Sequence, residues 1–200
     1  NSILADSIEH DDKLFPAIHL IAYSAIRRGE CLGLHWQQVD FDRQEISIVS
    51  SLVRSAQKGL IFEPPKSAAS RRVINLDDGT MEVLRAHKVR QMEHRLTMAQ
   101  SYEDNDLVFP NEYGQPLNPM RLTRALDRAG KRIGAEHVKL HDLRHFHASV
   151  LLQSGQSPVL VSKRLGHSSV SMTLDIYAHL MPGWQREAAE VFAKAMNQGD

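Results

Sequence analysis

A mostly α-helical fold holding a small antiparallel sheet of about three strands is what this sequence predicts, and three observations carry that expectation. Apolar residues recur at three- and four-residue steps in several separated blocks. Within the first half of the chain the period switches to two, over Ile46 to Val53 and again over Arg72 to Leu76. Proline, glycine, asparagine and aspartate cluster between many of the blocks.

Leu14, Ile18, Leu20, Ile21 and Ile26 crowd one segment and predict a buried helix from about Leu14 to Ile26, with a second short helix over Glu30 to Leu34. The alternating runs around Ile46, Ile48 and Leu52-Val53, and then Arg72 to Leu76 after the Pro64-Pro65 break, make the sheet. From Thr80 to Ala99 the residues Val83, Ala86, Val89, Met92, Leu96 and Ala99 predict a helix burying that stripe. After a polar loop, Asn118 caps a helix whose first residue is Pro119, a position that needs no free N–H. Its inner face is Leu122, Ala125, Leu126, Ala129 and Ile133; Arg121, Arg124, Arg128 and Lys131 form a basic stripe elsewhere on it. His141 to Ser154 reads as a helix with Leu143, Phe146 and Val150 inward, stopped by Gly155. Ser157-Pro158 restarts a helix that Gly166 ends, and Ser169 caps another through Tyr177. A last amphipathic helix follows Met181-Pro182-Gly183, with Trp184, Ala188, Val191, Phe192 and Ala195 on one stripe.

The 42% apolar and 24% charged content excludes a disordered chain, and no apolar run is long enough for a membrane span. One cysteine, Cys31, excludes an internal disulfide and a multi-cysteine zinc site, and a cytoplasmic setting is expected. Net charge is zero, yet from Pro119 to His167 there are nine Lys and Arg against three Asp and Glu, so the total is compatible with one positive face or with a mixed solvated surface. His141 and His145 have the spacing of a zinc pair without a third ligand at motif spacing, and no metal is expected.

Four stretches carry chemistry: Ala25-Ile26-Arg27-Arg28-Gly29-Glu30; Pro65-Lys66-Ser67 with Arg71-Arg72 behind it; His141-Asp142-Leu143-Arg144; and Leu165-Gly166-His167 followed ten residues on by Tyr177. A phosphodiester under attack gains negative charge, and fixed guanidinium forks match its oxygens two at a time. In this order and spacing the four stretches resemble the active-site boxes of the tyrosine recombinases and phage integrases, from about Leu14 to Leu180.

The resemblance implies the catalytic fold of that family and a site-specific DNA recombinase or integrase that works without cofactor, metal or ATP, in integration or excision of a mobile element. It assigns Arg27 and Arg144 as the phosphate clamp, Tyr177 as nucleophile, His141 as an acid/base or hydrogen-bonding group, His167 as donor to a nonbridging oxygen and Lys66 as the acid for the departing 5′ oxygen. Glu30, one helical step after Arg27, is expected to orient it. Arg28, Arg71, Arg72, Arg121, Arg124, Arg128 and Lys131 are candidate DNA contacts, whereas His145 and His147 are expected to be structural or solvent-facing. Expected partners are double-stranded DNA, further copies of the protein as a tetramer on two duplexes with the isolated domain a monomer, and accessory DNA-bending proteins, with no membrane. Residues 1–180 form the expected catalytic domain and 181–200 a helical tail that either covers its own core or passes to a neighbouring subunit; the family's upstream DNA-gripping domain has no counterpart here. Two departures from the family pattern, Ala25 for the usual glycine and Cys31 for a larger aliphatic, are expected to touch no catalytic group. The alternatives are relaxation of supercoils by the same tyrosine chemistry, as in type IB topoisomerases, and a catalytically silent DNA-binding relative.

Overall fold

The computed structural model describes residues 2–10, 13–65, 70–180, 189–190, 192–194 and 196, with 176–180 described as backbone alone. Lys66 and most of the expected tail over 181–200 lie outside the described residues. The helices are α1 (Ser2–Glu9), α2 (Phe15–Ser24), α3 (Arg28–Leu32), α4 (Asp78–Met98), α5 (Pro119–Arg132), α6 (Leu140–Gln153), α7 (Pro158–Leu165) and α8 (Ser171–Leu180), with the strands falling between α3 and α4 in the chain. No helix among the described residues is long and apolar enough to cross a membrane.

The strands form two small antiparallel units. β1 (Val39–Asp40), β2 (Glu45–Ile48) and β5 (Arg72–Asn75) make a three-stranded sheet in the order β1-β2-β5, with Ile46 opposite Ile74 and Ile48 opposite Arg72. β3 (Ser51–Ser55) pairs with β4 (Gly59–Glu63) in a separate hairpin, so the Leu52-Val53 run belongs to a second unit. The partner strand β4 went unpredicted because its side chains are half-buried or exposed and show no clean alternation.

The main core joins Ile18, Leu20 and Ile21 of α2 to Ile46 and Ile48 of β2, Met81 and Leu84 of α4, and Leu122 and Leu126 of α5. A smaller cluster, Ala25, Ala148, Leu152, Val161 and Leu165, joins the end of α2 to α6 and α7. At α5 the Asn118 side chain accepts the Met120 amide, Pro119 opens the helix, and Leu122, Ala125, Leu126 and Ala129 are buried as expected, while Ile133, also expected inward, is the half-buried C-cap.

Two helices turn a different face inward from the one their apolar spacing predicts. On α4, Val89, Met92 and Leu96 are 55%, 58% and 81% exposed, whereas Thr80, Met81 and Leu84 face the core. On α6, Phe146 and Val150 are exposed and the buried set is Arg144, Ala148 and Leu152. A charged residue heads that inward stripe, which hydrophobic periodicity cannot register.

α3 lies against the backbone of β3 through two glycines. A Cβ on Gly29 would stand 2.8 Å from the Leu52 carbonyl oxygen, and one on Gly33 would stand 2.8 Å from the Leu52 nitrogen. Because backbone rather than a pliable side chain sits opposite, Gly33→Ala should cost about 2 kcal/mol of stability, read from denaturant unfolding. A loss below about 0.5 kcal/mol would mean that α3 can shift away from the hairpin without penalty.

Candidate active site

Three local structures bring the first, third and fourth boxes together. α2 ends at Ala25 in the left-handed conformation (φ 57°, ψ 25°), and Arg27 follows as the extended N-cap of α3. Arg144 sits one turn into α6. α7 ends at Gly166 in the left-handed conformation (φ 66°, ψ 44°), which turns the chain toward His167.

Arg144 is 3% exposed, and its Nη1 and Nη2 donate to the carbonyls of Ala25 and Leu165 at 2.5 and 2.7 Å. The side chain of Arg27 is 41% exposed; its Nη1 donates to Glu30 Oε1 at 2.8 Å and its Nη2 to the Gly166 carbonyl at 3.0 Å. Glu30, nearly fully buried, also accepts the Arg27 amide at 2.9 Å, so it holds both ends of that residue.

Ala25 touches the site, contrary to the expectation for this departure from the family pattern: its carbonyl is an Arg144 acceptor. Its positive φ explains why glycine is usual there. The left-handed conformation costs a non-glycine residue about 1 kcal/mol, which burial of the methyl in the small core, worth roughly 0.8 kcal/mol, largely offsets. Cys31 is fully buried in the main core, where burial and the adjacent Glu30 push its thiol pKa up.

Arg72 is a second correction. Expected on the DNA-facing surface, its side chain is only 7% exposed and pairs with Glu30 through Nη2 at 2.9 Å and Nη1 at 3.2 Å. Strand periodicity carried the signal, since Arg72 is two residues from the buried Ile74 and on the same face of β5. Burial works to raise the Glu30 pKa, but hydrogen bonds and charge from Arg72, together with Arg27, outweigh it and hold the carboxylate ionised. Two guanidinium groups therefore hold one carboxylate, and the charge of a third, Arg144, is felt nearby. Burial, and then Arg27, push Arg144 down to about 9, which still leaves it charged at neutral pH.

His167 and His141 adjoin this cluster. Burial, then the charges of Arg144 and Arg27, lower the His167 pKa to about 4, and its Nδ1 lies 2.8 Å from the hydroxyl of Thr173, a fully buried residue. Thr173 was not anticipated; a threonine inside a helix carries no signal until its partner is known. Burial and the neighbouring His145 and Arg144 lower His141, whose ring meets that of His145 edge-on at 4.3 Å. His147 is structural, as expected: Nδ1 donates to the Ala22 carbonyl and Nε2 accepts from Arg164 Nε, both at 3.1 Å.

His19, His87, His141, His147 and His167 all have lowered pKa values in the fold. An unfolded histidine, near 6.5, binds its proton first as pH falls, so the stability these groups lend is complete above about 6.5 and declines toward pH 4. The melting temperature should fall steadily between pH 7 and 5, and less steeply in His87→Gln; a flat profile over that window would contradict this.

Tyr177 lies in α8, one helical turn after Thr173. Arg28 donates to Thr123 Oγ1 at 2.8 Å, and Arg71 is exposed. Arg121, Arg124, Arg128 and Lys131 are exposed along α5, with Arg121 paired to Glu112 at 2.6 Å. Arg121, Arg124 and Arg128 line a groove of about 490 Å³ together with His10, Lys13 and Arg132. A larger cavity of about 720 Å³ between α1, α4 and the 102–117 loop contains none of the arginine–histidine cluster.

Residues 2–183 match the phage integrase family. A XerC-like tyrosine recombinase of Caldanaerobacter subterraneus subsp. tengcongensis is 30% identical over 186 residues, covering 87% of this chain and 48% of that protein. The ICEBs1 integrase of Bacillus subtilis is 27% identical over 184 residues, covering 92% and 50%. The chain thus spans about half the length of these relatives. Among solved structures, the Tn1549 transposon integrase in complex with a circular intermediate DNA aligns with a TM-score of 0.78 at 21% identity, over 96% of this chain and 63% of that one. XerA recombinase aligns at 0.68 and 22%, over 96% and 60%.

Proposed function

The chain belongs to the phage integrase family, and on that premise we propose that it is the catalytic part of a site-specific DNA recombinase acting through a covalent 3′-phosphotyrosine. The observation that carries this reading is an excess of positive charge: Glu30 pairs with Arg27 and Arg72, and the buried Arg144, which donates to the Ala25 and Leu165 carbonyls, adds a third guanidinium close enough to feel their charges. Burying unmatched like charges costs several kcal/mol, and an anionic phosphodiester bound at the partly exposed Arg27 would relieve that cost.

In the proposed reaction Arg27 and Arg144 clamp the two nonbridging oxygens as negative charge builds on them. His167, neutral at physiological pH, donates from Nε2 while the Thr173 hydroxyl donates to Nδ1 and holds that tautomer. The phenol oxygen of Tyr177 attacks phosphorus, its proton passing to a base for which His141 is the candidate, since a lowered pKa leaves that imidazole neutral. The phosphorus–O5′ bond breaks as Lys66 protonates the leaving oxygen, which spares the expulsion of an alkoxide. A 5′ hydroxyl from another strand reverses the step. The ester bond conserves the energy of the broken phosphodiester, so the scheme requires neither ATP nor metal.

Double-stranded DNA is the proposed partner, and the basic groove beside α5 is the proposed phosphate track, with Arg124 and Arg128 as contacts from its wall and Lys131, exposed on the same helix, as a further one. We also propose residues 1–180 as the catalytic domain and a tetramer on two duplexes as the active assembly.

The test uses the intact protein and a duplex of its own attachment site, nicked so that the released 5′-hydroxyl fragment diffuses away. A covalent protein–DNA complex with the DNA joined through its 3′ phosphate is expected. Binding without any adduct would identify a silent relative, and relaxation of plasmids that lack the site would identify a topoisomerase.

A further inference from the structure

Three successive carbonyls at the end of α7 accept hydrogen bonds from three different arginines: Arg164 from Arg72 Nε at 2.7 Å, Leu165 from Arg144 Nη2 at 2.7 Å and Gly166 from Arg27 Nη2 at 3.0 Å. The helix terminus, carrying partial negative charge, is a natural seat for cations. Arg72 differs from the other two in its second set of partners. Its guanidinium edge holds both oxygens of Glu30, and Glu30 in turn holds the guanidinium and the amide of Arg27. A Cβ on Gly166 would stand 2.7 Å from Arg72 Nη1 and 2.9 Å from its Cζ, so the guanidinium occupies the space that only a glycine leaves open.

We infer that Arg72 is a positioning residue for the phosphate clamp, locking Glu30 in the geometry that aims Arg27 and cancelling the carboxylate charge that would otherwise oppose the substrate phosphate. The inference rests on the recombinase reading above. With Arg72 the cluster of Arg27, Arg72, Arg144 and Glu30 carries two net positive charges, three minus one; without it only one remains. Four of the five N–H donors of Arg72 already go to protein acceptors, the Arg164 and Ser70 carbonyls and both Glu30 oxygens, whereas two of the five on Arg144 do, so Arg144 and not Arg72 keeps donors for a phosphate. Only a planar fork can serve the Arg164 carbonyl and both Glu30 oxygens at once, which a lysine cannot do.

The test compares the rate of covalent complex formation on the nicked duplex with equilibrium DNA binding, in the intact protein, for wild type, Arg72→Gln, Arg72→Lys and Arg72→Gln combined with Glu30→Gln. Arg72→Gln should slow adduct formation about 100-fold with DNA affinity unchanged, because the clamp is misaligned and its charge halved. Arg72→Lys restores the charge without the fork and should be slowed about tenfold. Removing the stranded carboxylate in the double variant should recover about tenfold over Arg72→Gln, a rescue that a purely structural role would not produce. A rate for Arg72→Gln within about threefold of wild type, a double variant no faster than the single one, or a loss of affinity that parallels the loss of rate would each overturn the inference. If Arg72→Gln does not fold, the Lys and double variants decide, by the same comparison with wild type. Wild type failing to form any adduct would sink the recombinase reading and this inference with it, whereas normal wild-type cleavage beside an unaffected Arg72→Gln sinks the inference alone.

Discussion

Tyr177→Phe should abolish the covalent protein–DNA complex while leaving equilibrium binding of the same duplex intact. The phenol oxygen becomes the bridging atom of the new ester, and phenylalanine has none to offer, so the loss is complete rather than graded. The chain has three other tyrosines, and two of them are accessible: Tyr23 is 41% and Tyr113 is 48% exposed. Tyr23 lies near the cluster, since its carbonyl accepts from Arg164. Tyr177 is favoured because α8 also carries Thr173, whose hydroxyl meets His167, so its helix is tied to the arginine–histidine cluster. Adduct persisting in Tyr177→Phe, or vanishing in Tyr23→Phe, would remove Tyr177 from its proposed role.

Arg144→Ala should reduce the rate of adduct formation by roughly 10³-fold, the scale on which a lost donor to a developing oxyanion is felt. Stability suffers too. The substitution leaves the Ala25 and Leu165 carbonyls without their partner, at about 1–3 kcal/mol for each that water cannot reach. Relief of the buried charge's desolvation and of its repulsion with Arg27 and Arg72 opposes that loss and exceeds the attraction to Glu30 that disappears as well, so the net loss is smaller than the two carbonyls alone would give. Arg144→Lys separates the two roles. One ammonium keeps the charge but cannot span both carbonyls and still present a fork to phosphate, so a rate loss of about 100-fold with a smaller loss of stability is expected. Single-turnover cleavage and denaturant unfolding of the same preparations check both; a lysine variant within about threefold of wild-type rate would exclude fork recognition by this residue.

Local sequence alone determined much of this protein. Asn118-Pro119 opens α5 and Gly166 closes α7, because caps and breakers depend on neighbours a few residues away; the grouping of Arg27, His141, Arg144 and His167 was legible through the resemblance of the four stretches to the family. The inward faces of α4 and α6, the sharing of strands between two units and the burial of Arg72 were decided only by tertiary structure. Arg144 is buried because carbonyls 119 and 21 residues distant in the chain accept its hydrogens, and Arg72 because Glu30, 42 residues away, accepts its own. A charged side chain goes inside only where such partners converge: the period of β5 puts Arg72 on the face of Ile74, but the acceptors that let it stay there are supplied by the packed fold.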